Sequence, residues 1–390
     1  MRHYFLLYAL LAVLTACKKD KGPGNEPDIK ELHLLGWSQA KDNNNFVPTL
    51  WRGENQLTQQ FSRQFNFLPI LNDARYRTSF SSQLNGKTVY FGIEDTHSPS
   101  NTKVVMWQGT ESVLRTVLSE KTLHLVQQER INGFSVNPLT NDIYILASDR
   151  NYYYYYQISD GGNSILRVSV NAGAHGIPVY ILASGADVHV LTVTQVYSDD
   201  VTEGKTIIRH LKNDVLYASY EIALNEQEYM WNNLVIGTAT IENNVCHLLA
   251  VADQSLDCYY LKLSKGAPTV QKPVNTDAYI PAFGAETGSI SSGSGVFESG
   301  QFYIAAKRDA RDMACLVIDV RPEVPITRKV LLEASHVYTT YTAFKTYKYG
   351  DDIYINGVAD AFGVFWKNGK LVVPDNSGLN MSRIGYISYE

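Results

Sequence analysis

The chain has 390 residues, 45% of them apolar, and a net charge of −5 at neutral pH. That is enough apolar surface for a large core, and the length suits two or three ordinary domains or one closed repeat array. The basic residues are scattered along the chain, so no nucleic-acid partner is expected, while the 26 tyrosines favour strands, whose half-buried pleated faces suit aromatic side chains.

The N-terminal residues read as a targeting segment. Met1-Arg2-His3 supply positive charge, residues 4–13 form an apolar run of h-region length, and Leu14-Thr15-Ala16-Cys17 follows. The run is too short for a membrane span of ~20 residues. Small residues ahead of a cysteine admit a signal peptidase, and the thiol accepts lipid. Leu14-Thr15-Ala16-Cys17 resembles the lipobox of bacterial lipoproteins. The resemblance implies loss of residues 1–16 as a signal peptide and lipidation of Cys17. A buried N-terminal helix with a chance cysteine is the competing reading, and the polar stretch that follows at once speaks against it. Residues 17–29 read as a flexible tether. Lys18 resembles outer-membrane sorting more than inner-membrane retention. The expected partner is therefore a membrane reached through the lipid anchor, each buried CH₂ contributing ~0.8 kcal/mol. The expected location is the cell envelope at the outer membrane, periplasmic or surface-exposed.

Residues 30–390 read as a single domain of repeats. The clearest unit is Asp352-Ile353-Tyr354-Ile355, followed by Phe365-Trp366-Lys367-Asn368-Gly369 and Leu371-Val372-Val373. Its first strand recurs at Glu31-Leu32-His33-Leu34-Leu35-Gly36, Thr88-Val89-Tyr90-Phe91-Gly92, Asp142-Ile143-Tyr144-Ile145-Leu146, Asp187-Val188-His189-Val190-Leu191, Asn244-Val245-Cys246-His247-Leu248 and Gln301-Phe302-Tyr303-Ile304-Ala305. The spacing, about 45 to 58 residues, is that of a four-stranded propeller blade with its loops. The Trp strand and its turn recur at Trp51-Arg52-Gly53 and Trp107-Gln108-Gly109, with weaker copies at Asn213-Asp214 and Lys265-Gly266. Asn-Gly between strands is a strong hairpin signal.

A further strand precedes six of the seven repeats, at 77–83, 133–137, 178–183, 233–237, 289–297 and 343–347. Residues 383–389 supply the missing one, completing the first blade from the far end of the chain. Closure protects edges that an open array would expose. The expected fold is all-β, a seven-bladed β-propeller closed by the C-terminal strand. Six or eight blades also fit, because the third to sixth repeats diverge. The repeat unit resembles a group of uncharacterised Bacteroidetes lipoproteins with propeller repeats, from Glu31 onward, with three Trp-bearing turns carrying the match. It implies a propeller and an envelope address, and brings no catalytic residues.

Cys246, Cys258 and Cys315 complete the cysteines. In an oxidising compartment, Cys246 and Cys258 could pair across neighbouring strands. Buried free thiols are the alternative, since one cysteine must stay unpaired. No Cys/His spacing suggests zinc, and no metal or cofactor is expected.

One column of the repeat holds His33, Tyr90, Tyr144, His189, Cys246, Tyr303 and Tyr354. Two histidines there raise a metal ring, but interblade packing by large amphipathic side chains accounts for the column. Trp51, Trp107 and Trp366 raise sugar stacking. Their constant place beside a hairpin fits a structural role instead. The run Tyr152–Tyr156 alternates between both faces of its strand.

Ligands of propellers sit on the face carrying the loops from the second to the third strand and into the next blade, and loops on a rigid scaffold are where function concentrates. Residues 37–45, 93–102, 194–206 and 307–312 read as such loops. They offer Trp37, Glu94, Asp95, His97, Tyr197, Asp199, Asp200, Arg308 and Arg311 as candidate ligand-binding residues, against a background of ordinary solvated charge. Paired carboxylates could act on a glycoside at ~5 to 9.5 Å. No GxSxG, HExxH, P-loop or EF-hand pattern is present, and no catalytic residue is assigned. The leading expectation is a non-enzymatic, lipid-anchored envelope protein that binds a glycan, peptide or protein ligand on one face. The alternatives are a glycoside hydrolase or polysaccharide lyase on the same fold, and a structural component of an envelope complex.

Overall fold

A computed structural model describes residues 32–41, 46–53, 58–61, 80–84, 87–95, 102–110, 113–116, 130–137, 139–140, 142–148, 153–159, 164–170, 177–197, 204–223, 234–252, 257–281 and 295–389. Among the described residues there are 29 strands and no helix, in seven antiparallel sheets. Blade 1 is Leu32–Ala40, Phe46–Arg52 and Thr58–Phe61, with Leu379–Tyr389 as its first strand. Blade 2 is Phe80–Leu84, Lys87–Asp95, Thr102–Thr110 and Val113–Thr116. Blade 3 is Arg130–Val136, Ile143–Ser148, Tyr153–Ser159 and Ser164–Ser169. Blade 4 is Ile177–Ser184, Asp187–Tyr197, Gly204–Lys212 and Val215–Ala223. Blade 5 is Leu234–Glu242, Val245–Ala252, Cys258–Leu263 and Val270–Val274. Blade 7 is Tyr341–Tyr349, Asp352–Ala359, Phe362–Lys367 and Lys370–Val372. The ring is a seven-bladed β-propeller.

Closure follows the expected route. Leu379–Tyr389 runs antiparallel along Leu32–Ala40, from Leu379 opposite Ala40 to Tyr389 opposite Leu32. Ile384 and Ile387 of that strand join Leu32, Leu34 and Trp51 against Tyr347, Tyr354 and Phe365 of blade 7. The core of the ring is thus a series of interblade layers, each fed by alternate residues of two facing sheets. Polar groups tie neighbouring blades near the axis: Ala183 N–H donates to Ser135 Oγ at 2.9 Å, Ala305 N–H to Thr346 Oγ1 at 3.0 Å, and Asn356 Nδ2 to the Ile384 carbonyl at 2.8 Å.

In blade 6, two short strands, Ile280–Pro281 and Val296–Glu298, both pair with Gln301–Lys307. Of the first strand expected over 289–297, residues 289–294 lie outside the described residues. The third and fourth strands, Met313–Asp319 and Ile326–Leu331, are regular.

The two ends of the ring differ. One end carries two-residue turns such as Asn213-Asp214, Asn243-Asn244 and Asn368-Gly369, whose residues all have positive φ, from 49° to 86°. Asparagine, aspartate and glycine tolerate that geometry, which matches the twist of a hairpin. The repeat signature has a physical meaning here. Asn368 Oδ1 accepts the Ile353 N–H at 2.8 Å while its Nδ2 donates to Asp352 at 2.6 Å. In blade 4, Asn213 accepts from Val188 N–H at 2.8 Å and donates to Asp187 at 2.9 Å. The lysine before each asparagine reaches the same carboxylate, Lys367 to Asp352 at 3.3 Å and Lys212 to Asp187 at 2.8 Å. Asp-Ile and Lys-Asn-Gly thus form one clamp that locks two turns together. Among the described residues, the connections 308–312, 332–340 and 373–378 leave from the other end, while 264–269 and 320–325 lie at the turn end.

Strand pairing corrects the expected column in two blades. Lys87 lies opposite Leu84, and Val245 opposite Glu242, as Asp352 lies opposite Tyr349. Val89 and His247, not Tyr90 and Cys246, therefore share the position of Tyr354. A slip of one residue moves a side chain to the other face. Cys246 accordingly packs toward blade 4 with Tyr180 and Tyr220, whereas Cys258 packs toward blade 6 with Phe302. The disulfide is excluded: Cys246, Cys258 and Cys315 are buried free thiols, and burial pushes the Cys258 and Cys315 thiols up to about 12.

Candidate functional site

Trp51 and Trp366 are completely buried, which removes them as sugar-stacking platforms. Trp366 Nε1 donates to the Glu333 carbonyl of the preceding blade at 2.8 Å. The amphipathic column is likewise internal. His189 Nδ1 lies 2.8 Å from His210 Nε2, His247 Nδ1 lies 2.8 Å from the Tyr260 hydroxyl, and the Tyr303 hydroxyl donates to Gln301 at 2.8 Å. Each polar tip is met within its own blade. No group of three or more His, Cys, Asp or Glu side chains is placed to hold a metal among the described residues. The tyrosine run alternates as expected. Tyr154 and Tyr156 lie under the Arg167 guanidinium, at 3.5 and 5.9 Å, while Tyr155 faces blade 4 and donates to Asp214 at 2.8 Å.

The long-loop end is built most fully at blades 6 and 7. Asp309 Oδ1 accepts the N–H groups of Arg311 and Asp312, each at 2.8 Å, and fixes the turn 308–312. Arg308 pairs with Asp312, whose carboxylate also accepts from the Tyr279 hydroxyl. Arg311 donates to the Tyr338 carbonyl at 2.5 Å. Asp360 accepts from the N–H and hydroxyl groups of Thr339 and Thr340, and these donors hold its carboxyl down at about 2. A firmly bonded rim results, from which the two arginines and Val337, 78% exposed, reach solvent.

The structure redistributes the other candidates. Trp37 is within Leu32–Ala40, opposite Pro48 and Arg383. Glu94 and Asp95 close Lys87–Asp95, opposite Lys103 and Thr102, and Tyr197 closes Asp187–Tyr197, opposite Gly204. All four are strand residues rather than loop residues, because the second strands of these blades run longer than their apolar pattern suggests. With Arg308 and Arg311 they come from blades 1, 2, 4 and 6. Cys17, His97, Asp199 and Asp200 lie outside the described residues.

One feature of the ring interior carries no obvious sequence motif. The first strand of each blade is paired on one side only, so its other edge lines the central channel. Among the described residues, five of these strands carry a β-bulge at matching positions, at Asn132, Val179, Gly237, Phe344 and Gly385. A bulge adds one residue to one side of a ladder and re-aims the chain there. In blade 7 it sets Phe344 and Lys345 against the single residue Asn356. Asn356 is itself buried and accepts the Lys345 N–H at 2.8 Å. The Lys345 side chain stays partly accessible although protein surrounds it, as fits a position on a narrow channel. Desolvation there lowers its ammonium to about 8. A lysine in mid-strand between Phe344 and Thr346 is the only sequence sign of it.

No protein-family model matches the chain, and no curated protein sequence matches it either. Solved structures do. A puromycin hydrolase superposes with a TM-score of 0.55 at 8% identity over 92% of this chain and 52% of its own. A prolyl endopeptidase gives 0.42 at 10% identity over 77% and 42%. An α-L-arabinanase of Penicillium chrysogenum, solved with arabinobiose, gives 0.44 at 11% identity over 73% and 89%. The chain spans about half the length of the puromycin hydrolase and less of the prolyl endopeptidase. At 8% identity the likeness to the puromycin hydrolase is one of fold alone, and it agrees with the sheet order in making the chain a β-propeller.

Proposed function

We propose that this protein is a lipid-anchored binding protein of the cell envelope, and that the long-loop end of its propeller takes a glycan, peptide or protein ligand. The asymmetry of the ring is the observation that carries the reading. One end carries the two-residue first hairpin turns of the blades, and the other carries the described connections 308–312, 332–340 and 373–378 on a rigid scaffold, where binding residues concentrate. The anchor reading rests on Leu14-Thr15-Ala16-Cys17 and the apolar run before it. No helix among the described residues is long and apolar enough to cross a membrane. Fold alone does not select a ligand.

The test has two arms. Expressed with its leader, the protein should stay with membranes through a carbonate wash, and Cys17→Ala should move it to the soluble fraction. Retention of the variant would end the anchor reading. On glycan and peptide arrays the protein should give a hit that is not consumed. Turnover of a polysaccharide hit, abolished by a single carboxylate substitution, would replace the binding reading with that of a hydrolase or lyase.

A further inference from the structure

Exposed apolar side chains are unevenly spread over the described part of the ring. Singly scattered ones need no explanation, but here they gather at the turn end. Leu139, Val215, Leu216, Val270, Val324 and Ile326 all stand there, within a connection or in the first two residues of the strand after it. They come from blades 3, 4, 5 and 6, which follow one another round the ring. Leu139, Val215 and Val324 are 75%, 68% and 71% exposed, so they project from the end rather than merely reach its surface. At the other end Leu331, Val337 and Val373 come from blades 6 and 7 alone. Charges at the turn end are cancelled in pairs, Lys212 with Asp187, Arg321 with Asp319, Lys348 with Glu298 and Lys367 with Asp352. Lys265 stands 4.5 Å over the ring of Tyr217, the residue that follows Val215 and Leu216. An amphipathic ring and a long-stemmed cation at the edge of an apolar rim suit the headgroup level of a bilayer.

The chain enters the ring at this same end. Leu32 opens the second strand of blade 1, and its carbonyl accepts the N–H of Gly53, in the turn after the third strand, at 2.9 Å. Residues 18–31 are all that separates Leu32 from Cys17. Even fully extended, a stretch of that length spans no more than ~50 Å, and as a coil it averages about 20 Å. We propose that the turn end of the propeller rests on the bilayer that holds Cys17, with these apolar side chains inserted among the lipid headgroups and upper acyl chains. The inference rests on the anchor reading and adds an orientation to it, since the long-loop end then faces away from the membrane. A short tether makes the docking intramolecular, at an effective concentration in the millimolar range. A face too weak to bind membranes from solution therefore suffices.

The lipidated protein is reconstituted into phosphatidylcholine vesicles with a fluorescent dye on one introduced cysteine, Leu139→Cys, Val215→Cys or Val324→Cys at the turn end and Val337→Cys at the other. Cys246, Cys258 and Cys315 are buried and stay unlabelled in the folded protein. At an insertion depth of ~5–10 Å, lipids brominated high on the acyl chain should quench the turn-end dyes about threefold more strongly than the dye at 337. Adding Val215→Ser, Leu216→Ser and Val324→Ser to Leu139→Cys should weaken its quenching and leave the melting temperature unchanged. Equal quenching at both ends, stronger quenching at 337, or none, overturns the proposal, as does quenching that needs anionic lipid. Turn-end dyes that are unquenched in these vesicles yet shielded from aqueous iodide in native membranes would give the face to a protein partner, and overturn it too. If Cys17 still holds the protein on membranes through a carbonate wash while the turn-end dyes stay unquenched, the anchor reading stands and this inference is refuted. Failure of the anchor reading shows separately, as a mature chain whose Cys17 carries no lipid, and takes this inference with it.

Discussion

Gly357 lies beneath the ring of Trp366: a Cβ at 357 would stand 2.6 Å from Trp366 Cζ3 and closer still to the Thr342 carbonyl oxygen. The two are diagonal neighbours on one face of blade 7, since Ile355 pairs with Trp366 and Gly357 with Val364. The register recurs. Gly36 stands in the same position to Trp51, and Gly92 to Trp107. Where the tryptophan is replaced the glycine is too: Ala147 with Tyr156, Thr192 with Leu211, Ala250 with Leu261 and Ala306 with Leu316. The repeat thus conserves the volume of a diagonal pair rather than either residue, as close packing requires.

Gly357→Ala should therefore destabilise blade 7 by about 1–3 kcal/mol through overpacking. Adding Trp366→Leu should recover part of the loss, because it restores the pairing used by blade 6. Urea denaturation of the two single variants and the double variant gives the coupling directly. Strict additivity would mean that the pair does not share its space.

Asn368→Ala should cost about 1–3 kcal/mol, since it removes an acceptor for the Ile353 N–H and a donor to Asp352 and puts alanine at a φ of 50°. Asn213→Ala should behave alike in blade 4, where φ is 49°. Chemical denaturation of both variants checks the clamp, and an unchanged midpoint in either would show that the turn holds without it.

His210 and His189 are buried against each other, and desolvation lowers both, His210 to about 4. The unfolded chain takes up these protons below its ordinary histidine pKa of ~6.5 while the folded protein resists, so stability should fall as pH drops from about 6.5 toward 4. The His210 contribution is roughly 3 kcal/mol over that window. Melting curves from pH 7 to 4 should be flatter in His210→Gln than in the wild type, and parallel curves would contradict this.

Removal of residues 379–390 should abolish cooperative unfolding. Blade 1 would lose its first strand, and Ile384 and Ile387 would leave the layer shared with Tyr354 and Phe365. Calorimetry of the truncated chain should show no native-like transition; a melting temperature within a few degrees of the intact chain would sink the closure model.

The ring was legible because each blade repeats the alternation of Asp352-Ile353-Tyr354-Ile355 and a turn that needs asparagine or glycine. Those are local signals, set by strand pleat and positive φ. Two blades were read one residue out of register, since Val89-Tyr90 and Cys246-His247 each offer two side chains able to fill an interblade layer. Only the pairing of Leu84 with Lys87 and of Glu242 with Val245 fixes which one does. Ile280–Pro281 was not legible as a strand because its pairing with Lys307 and Ala306 is a matter of long-range register, not of composition. The candidate site was least legible. Trp37, Glu94 and Tyr197 have no periodicity to tell strand end from loop, and Lys345 gains its character from a channel that exists only once seven strands meet.

The central claim is that ligand engages the long-loop end. Hydrogen–deuterium exchange of the full-length protein, with and without the best array hit, tests it most directly. Protection should concentrate at 308–312, 332–340 and 373–378 and along the first strand Tyr341–Tyr349, leaving the turns 243–244, 350–351 and 368–369 unchanged. Protection confined to those short turns would contradict it.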